Sequence, residues 1–572
     1  MCRFHRFAAK LCSLDPACIG LWSSFTHSSS VISSSFLVDE KEESRHHPPD
    51  NTIMKKKSFL PYPRQFALPL LALSLLAASP AHADVRLPHV IASDMVLQQQ
   101  TRIPVWGWAD PGEKVTCEIG GAKATATANA DGQWKLQLPA MKAGGPYELN
   151  VRGHNTLKLT GILVGEVWLC SGQSNMEMGI GMCKDGKQEI AAATNSQIRL
   201  FLVPKKTSGT PLSDVDATWK VCSPTNIAQG GWGGFSAAAY YFGREIQNTL
   251  NVPVGLIETS WGGTRIEPWT PPTGFAAVRA LKGIEEEIQK ADTEYGKAYG
   301  KALDELEVAV VKARKAITSG NALPPFPQVP HHELDSYSKP TGLYNAMVYP
   351  LVPFAVRGAI WYQGESNNGE SMLYYEKMKA LIGGWRQVWK KSDLPFYYVQ
   401  IAPYKYGPGN TNLPGIWNAQ LASLAIPNTG MAVTTDIATV NDIHPPNKQD
   451  VGKRLALWAL AKTYGKKDLV YSGPLFKKAK PDGDKIAVLF DSIGSGLATR
   501  DGKEVSHFEI AGEDGKFVPA QTKIEGDKII ASASGVTTPV QVRFGWDQLA
   551  EPNLINKEGL PASPFSSAEL RR

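Results

Sequence analysis

A serine closes the stretch Val164-Gly165-Glu166-Val167-Trp168-Leu169-Cys170-Ser171-Gly172-Gln173-Ser174, an apolar strand-like run that ends in a glycine-containing turn. A hydroxyl presented at a strand end can attack a carbonyl while its own backbone N–H helps hold the developing oxyanion. Taken alone, Ser174 reads first as the cap of the helix that follows it. Far downstream, Val440-Asn441-Asp442-Ile443-His444-Pro445-Pro446-Asn447-Lys448 carries an imidazole with a carboxylate close by in sequence. An imidazole takes a serine proton at neutral pH, and a carboxylate fixes its tautomer. Pro445 and Pro446 stiffen the chain before a helix expected from Lys448 to Tyr464. By itself, a histidine beside two prolines reads as structural.

Two further glycine turns follow strand-like runs. In Thr259-Ser260-Trp261-Gly262-Gly263-Thr264 the backbone N–H of Gly262 or Gly263 is a candidate oxyanion donor. In Trp361-Tyr362-Gln363-Gly364-Glu365-Ser366-Asn367 the candidate is a side-chain amide, Gln363 or Asn367. Each turn alone is an ordinary tight turn, but together the segments hold a nucleophile, a base, an acid and oxyanion donors. Two competing chemistries use the same neighbourhood. Glu177, Glu258 and Glu365 would supply the paired carboxylates of a glycosidase. Trp106, Trp108, Trp261 and Trp361 would let a non-catalytic protein stack on sugars, with core packing as their plainer role.

These segments need several elements to position them. The 572 residues exceed one ordinary domain, and 43% apolar with 20% charged residues is the mixture of a globular protein. A formal charge of +6 is too mild at this length to imply a nucleic-acid partner. Near the amino terminus, Met54 and three lysines precede an apolar run through Phe66 to Ala78, then Pro80-Ala81-His82-Ala83. That pattern reads as a signal peptide, 54–83, cleaved before Asp84 and leading to a periplasmic or secreted protein. The run falls short of the roughly 20 residues of a spanning helix, so no membrane span is expected in the mature chain. Residues 1–53 precede the signal and read as an extension upstream of the true start, Met54. Of the seven cysteines, Cys117, Cys170, Cys183 and Cys222 would remain; Cys183 and Cys222 are a possible disulfide, free buried thiols being the alternative. No cysteine or histidine cluster suggests a metal.

Short alternating strands between Gly and Pro turns predict a small β-sandwich over 84–163. Apolar strand runs alternating with helical segments over 164–467 predict an α/β domain with a mostly parallel sheet. Within it, 276–319 is rich in Ala, Glu and Lys, with Leu281, Ile284, Ile288, Leu303 and Leu306 at helical spacing, and reads as a helical insertion. A second β module, 468–572, closes the chain around hairpin turns such as Asp482-Gly483 and Gly526-Asp527.

The combination Met95-Val96-Leu97-Gln98, Trp106-Gly107-Trp108, Gly165-Glu166-Val167-Trp168, Gly172-Gln173-Ser174-Asn175-Met176, Trp261-Gly262-Gly263-Thr264, Trp361-Tyr362-Gln363-Gly364-Glu365-Ser366 and Ile443-His444-Pro445 closely resembles the sialate O-acetylesterase family of SGNH-type hydrolases. The resemblance runs from about Arg86 to Pro564, leaving out the helical insertion. It implies a flavodoxin-like hydrolase core, a Ser-His-Asp mechanism without metal or organic cofactor, and an acetylated carbohydrate as substrate. Acetylated sialic acids are the implied substrates, with acetylated xylan or another plant polymer as the alternative. Ser174 then corresponds to the nucleophile and His444 to the base. SGNH hydrolases commonly carry the acid three residues before the histidine, where this chain has Asn441, so Asp442 is the expected acid and Asp436 the reserve.

Overall fold

The computed structural model of the protein describes residues 84–408 and 412–570; the expected signal peptide and the extension before it lie outside the described residues. The chain begins with β1 (Val96–Gln98), β2 (Ile103–Trp108), β3 (Lys114–Ile119), β4 (Ala122–Thr127), β5 (Gln133–Leu138) and β6 (Gly144–Arg152). β3 pairs antiparallel with β4 and β6, and β2 pairs antiparallel with β5. Buried and exposed residues alternate along β5, as expected of a sheet with one face toward water.

The next strand, β7 (Thr156–Gly172), joins two environments. Its first half pairs antiparallel with β6, and its second half runs parallel to the strands of the central sheet. Burial alternates up to Gly161 and is continuous from Ile162. The border expected between 163 and 164 therefore falls inside one unbroken strand. The change in residue pattern marks where the strand becomes covered on both faces, with no break in the backbone.

The central sheet continues with β8 (Asn195–Leu202), β9 (Trp219–Cys222), β10 (Val254–Ser260), β11 (Gly358–Tyr362), β12 (Phe396–Val399) and β13 (Thr429–Ala432). Its order is β13-β12-β11-β7-β10-β8-β9, parallel throughout except for the antiparallel edge strand β9. Every residue of β10 and β11 is buried, in keeping with the apolar runs 254–257 and Gly358–Tyr362, although β10 ends in the buried polar residues Glu258, Thr259 and Ser260. Helices Ala237–Leu250 and Lys448–Trp458 pack on each other beside this sheet. The first is capped by Ser236, whose hydroxyl accepts from the Ala239 N–H at 3.1 Å. The second is capped by Asn447, which accepts from the Asp450 N–H at 3.1 Å, and it continues through a π-helical turn, Ala459–Thr463.

The segment expected as a helical insertion forms a 38-residue helix, Lys282–Ser319. Ile288 and Ala291 anchor it in a small apolar cluster with Phe275, Val278, Leu281 and Leu334. Beyond the central domain, ten short strands build two four-stranded antiparallel sheets and one strand pair. They are tied to the core by Gln400 Nε2, which donates to Ser563 Oγ at 2.9 Å, and by the Ser566 N–H, which donates to Asn418 Oδ1 at 3.1 Å. Among the described residues, no helix is long and apolar enough to cross a membrane.

Candidate active site

Parallel strands present their carboxyl ends on one edge, and the segments singled out by their chemistry follow β7, β10, β11 and β13 there. Gly172 ends β7 with φ +148°, and an added Cβ would overlap the Tyr362 carbonyl oxygen of the neighbouring strand. Only glycine lets the chain turn there and lift Ser174 onto the first position of a one-turn helix, Ser174–Glu177. His444 Nε2 lies 2.9 Å from Ser174 Oγ, so residues 270 apart in sequence share a hydrogen bond. Burial, and then the nearby Lys448, lower the His444 pKa below its ordinary value, favouring the neutral imidazole that a base requires.

The side chains around Ser174 each hold a different loop. Gln173 Oε1 accepts the N–H groups of Gly364 and Ser366, both at 3.3 Å. Asn175 Nδ2 donates to Glu365 Oε1 at 2.6 Å and to the Ile443 carbonyl at 2.9 Å. Glu177 Oε2 accepts the N–H of Gly262 at 2.6 Å, and its other oxygen pairs with Lys205 at 2.6 Å. One turn of chain thus ties together the loops after β10, β11 and β13. Sequence reading missed Asn175 and Glu177 as builders of the site, although both stand within three residues of Ser174.

Several expectations change on this geometry. The Gly262 N–H is engaged by Glu177, so it faces a neighbouring carboxylate and not a substrate oxygen. Gln363 is fully buried and donates to Asn367 Oδ1 at 2.7 Å and to the Thr264 carbonyl at 3.3 Å. Asn367 is equally buried, and its amide donates to Glu267 at 3.1 Å and Glu370 at 3.0 Å. Both amides link loops because burial obliges each polar atom to find an internal partner. Of the expected donors, the backbone N–H groups of Ser174 and Gly263 are left; at Gly263 φ is +73° and an added Cβ would meet open space.

Asp442 places a carboxylate oxygen 3.8 Å from His444 Nδ1, beyond hydrogen-bond reach, and accepts the His444 backbone N–H at 2.9 Å. Asp436, the reserve, forms a bidentate pair with Arg454 at 2.6 and 2.7 Å and is committed to holding that helix. Cys183 and Cys222 are not joined: all four described cysteines are free and buried, with Cys183 Sγ donating to the Ile180 carbonyl at 2.9 Å. Trp361 is buried among Trp269, Trp385 and Phe396, which removes it as a sugar platform. Trp232, absent from the sequence reading, sets its ring edge-on to His444 with centroids 4.7 Å apart.

The glycosidase carboxylates are also internal. Glu258 is enclosed, accepts from the Ser236 N–H and Ser260 Oγ, and is pushed up to about 8 by burial. Glu365 is buried and its pKa raised for the same reason, and Glu177 is held by Gly262 and Lys205. Among the described residues, one group with metal-ligand chemistry comes together, Asp110, Glu113 and His154. It lies in the amino-terminal sheets, where the Glu113 carboxylate accepts the backbone N–H groups of Asp110 and His154.

A serine and a histidine at the carboxyl edge of a parallel α/β sheet define the class as hydrolase. The profile of the carbohydrate esterases described as sialic acid-specific acetylesterases matches residues 164–317 and 331–461. That match runs through the helix 282–319 almost to its end and resumes at 331, leaving out 318–330. The sialate O-acetylesterase of Mus musculus is 30% identical over 72% of this chain and 80% of its own length. The human sialate O-acetylesterase is 31% identical over 72% and 77%. The crystal structure of a carbohydrate acetylesterase from Xanthomonas citri superposes with a TM-score of 0.71 at 38% identity, covering 85% of this chain and 99% of that one. The chain belongs to the sialic acid-specific acetylesterase family of carbohydrate esterases, and it is an esterase that hydrolyses carboxylic esters.

Proposed function

We propose that the protein removes acetyl groups from acetylated sugars, sialic acids foremost, through a serine nucleophile and a histidine base. The observation that carries this reading is the 2.9 Å contact between Ser174 Oγ and His444 Nε2 at the carboxyl edge of the sheet. His444 takes the Ser174 proton as Oγ attacks the acetyl carbonyl, and the oxyanion is held by the N–H groups of Ser174 and Gly263. The imidazolium then protonates the departing sugar oxygen, leaving an acetyl-enzyme. Water, deprotonated by His444, attacks it, and acetate and free Ser174 result. Asp442, within 3.8 Å of the ring, steadies the imidazolium by charge. No metal or organic cofactor enters any step.

The sheet order supports a flavodoxin-like SGNH core: β10-β7-β11-β12-β13 numbers 2-1-3-4-5 in chain order, with β8 and β9 added outside β10. In this reading the core spans 164–467, between an amino-terminal β-sandwich at 84–163 and the carboxyl-terminal β module at 468–572. The protein is exported, with a signal peptide over 54–83 cleaved before Asp84. The substrate follows from the names of the mouse and human relatives.

Two measurements test the reading. A serine-directed organophosphonate is expected to abolish turnover of p-nitrophenyl acetate and to label Ser174; inhibition with the label elsewhere refutes the nucleophile. Acetate release from O-acetylated sialic acids is expected to exceed that from acetylated xylan, and the reverse order moves the substrate to plant polymers.

A further inference from the structure

The loop that carries His444 is held through its backbone, at the residue before the histidine and at the residue after it. Asn175 Nδ2 donates to the carbonyl of Ile443, the residue before His444, at 2.9 Å. Lys448 Nζ donates to the carbonyl of Pro445, the residue after it, at 2.6 Å. The two grips are joined, because Lys448 Nζ also donates to Asn175 Oδ1 at 2.8 Å. Glu365 closes the cluster from the loop after β11 by accepting from Asn175 at 2.6 Å. Asn175 and Lys448 are both fully buried, where a polar group is retained only with its partners in place. By contrast Asp442 is 57% exposed and reaches the ring only at 3.8 Å.

We propose that Asn175 and Lys448 are positioning residues that set the distance between Ser174 and His444, a task the exposed Asp442 carboxylate performs only weakly. This rests on Ser174 and His444 being nucleophile and base. Asn175 is covalently next to the nucleophile, so any shift of its side chain moves the base relative to Oγ. Lys448 has a second effect: burial lowers its own pKa to about 7, so it carries its positive charge through the acid range, where it stands near the imidazole and opposes protonation. The charged and titratable groups facing His444 are Asp442 from its own loop, Lys448 from the next helix and Ser174 from the loop after β7. Those facing Lys448 are Glu365, Cys183 and Asp442, with the Tyr362 ring 5.5 Å from Nζ.

The test compares Asn175→Ala, Lys448→Met and Asp442→Ala in the full chain, with p-nitrophenyl acetate as substrate. Circular dichroism and thermal midpoints establish folding. A misplaced base predicts that kcat falls about 10- to 100-fold in the first two variants, with KM within twofold and a smaller loss for Asp442→Ala. Lys448→Met is further expected to move the acid limb of kcat/KM toward higher pH, which loss of packing alone does not do. Should Lys448→Met fail to fold, Asn175→Ala judged against Asp442→Ala decides. Folded variants with kcat within twofold of the parent, or a larger loss from Asp442→Ala than from Asn175→Ala, overturn the proposal. Ser174→Ala is run in parallel. If it stays active the serine mechanism itself fails, whereas an inactive Ser174→Ala beside active Asn175→Ala sinks the positioning role alone.

Discussion

The carboxylate of Glu177 accepts the backbone N–H of Gly262 at 2.6 Å, so the third residue after Ser174 holds the turn that carries Gly263. An added Cβ on Gly262 would sit 3.2 Å from the Ser174 Cβ, which shows how closely that turn is drawn over the serine. An oxyanion donor is effective only when fixed before the charge develops. Glu177→Ala is therefore expected to lower kcat on p-nitrophenyl acetate by about 10²-fold, while Glu177→Gln, which keeps an acceptor oxygen, retains most of it. Equal losses in the two variants would assign the effect to the pairing with Lys205 instead.

The pH dependence follows from the environment of His444. Burial and Lys448 depress its pKa below 6.5, so the neutral, proton-accepting form persists into mildly acid solution. The acid limb of kcat/KM is expected to titrate below pH 6.5, with a plateau through neutrality. An apparent pKa above 6.5 in the free enzyme would contradict this.

Gly172 carries φ +148° against the Tyr362 carbonyl. A side chain there would meet both an unfavourable backbone region and a fixed oxygen. Gly172→Ala is expected to destabilise the fold by about 1–3 kcal/mol or more and to reduce the fraction of Ser174 labelled by an organophosphonate. A variant with the parent's thermal midpoint and labelling would show that the strand end adjusts at little cost.

Glu258 links stability to pH. Its folded-state pKa is raised from 4.5 to about 8, so between those values the folded protein keeps a proton that the unfolded chain has lost. The stabilisation from this group is complete below pH 4.5, declines as pH rises, and is gone above about 8. Glu258→Gln removes that titration, so the stability of the parent relative to the variant is expected to fall between pH 5 and pH 8. Thermal midpoints of both proteins measured across that range check it, and parallel curves would place the Glu258 pKa near its ordinary value.

How far the site was legible in the sequence depended on whether a residue acts through its own chain neighbours or through a distant partner. Ser174 and His444 sit in local patterns, a strand with a glycine turn and a histidine before two prolines, which alone read as a cap and a structural residue; their combination and the family resemblance made them candidates. The two halves of β7 were legible from local pattern, since alternation and continuous burial follow from which faces are covered, although no residue pattern announced that both belong to one strand. The sequence offers Gly262, Gln363 and Asn367 as donors to a substrate, whereas tertiary packing gives each of them partners within the protein. Their hydrogens point at Glu177, Asn367, Thr264, Glu267 and Glu370, which approach from other loops. A hydrogen bond is a choice among whatever acceptors the fold brings within 3 Å or so, and a sequence states the donor without stating the acceptor. The sequence by itself offered Ser174 and His444 as candidate nucleophile and base, through the combination of their segments with the other glycine turns and the family resemblance. Only the tertiary structure decided that the Gly262 N–H is engaged by Glu177, and that the backbone on either side of His444 is held by Asn175 and Lys448, because those are properties of loops that meet only when the sheet is assembled.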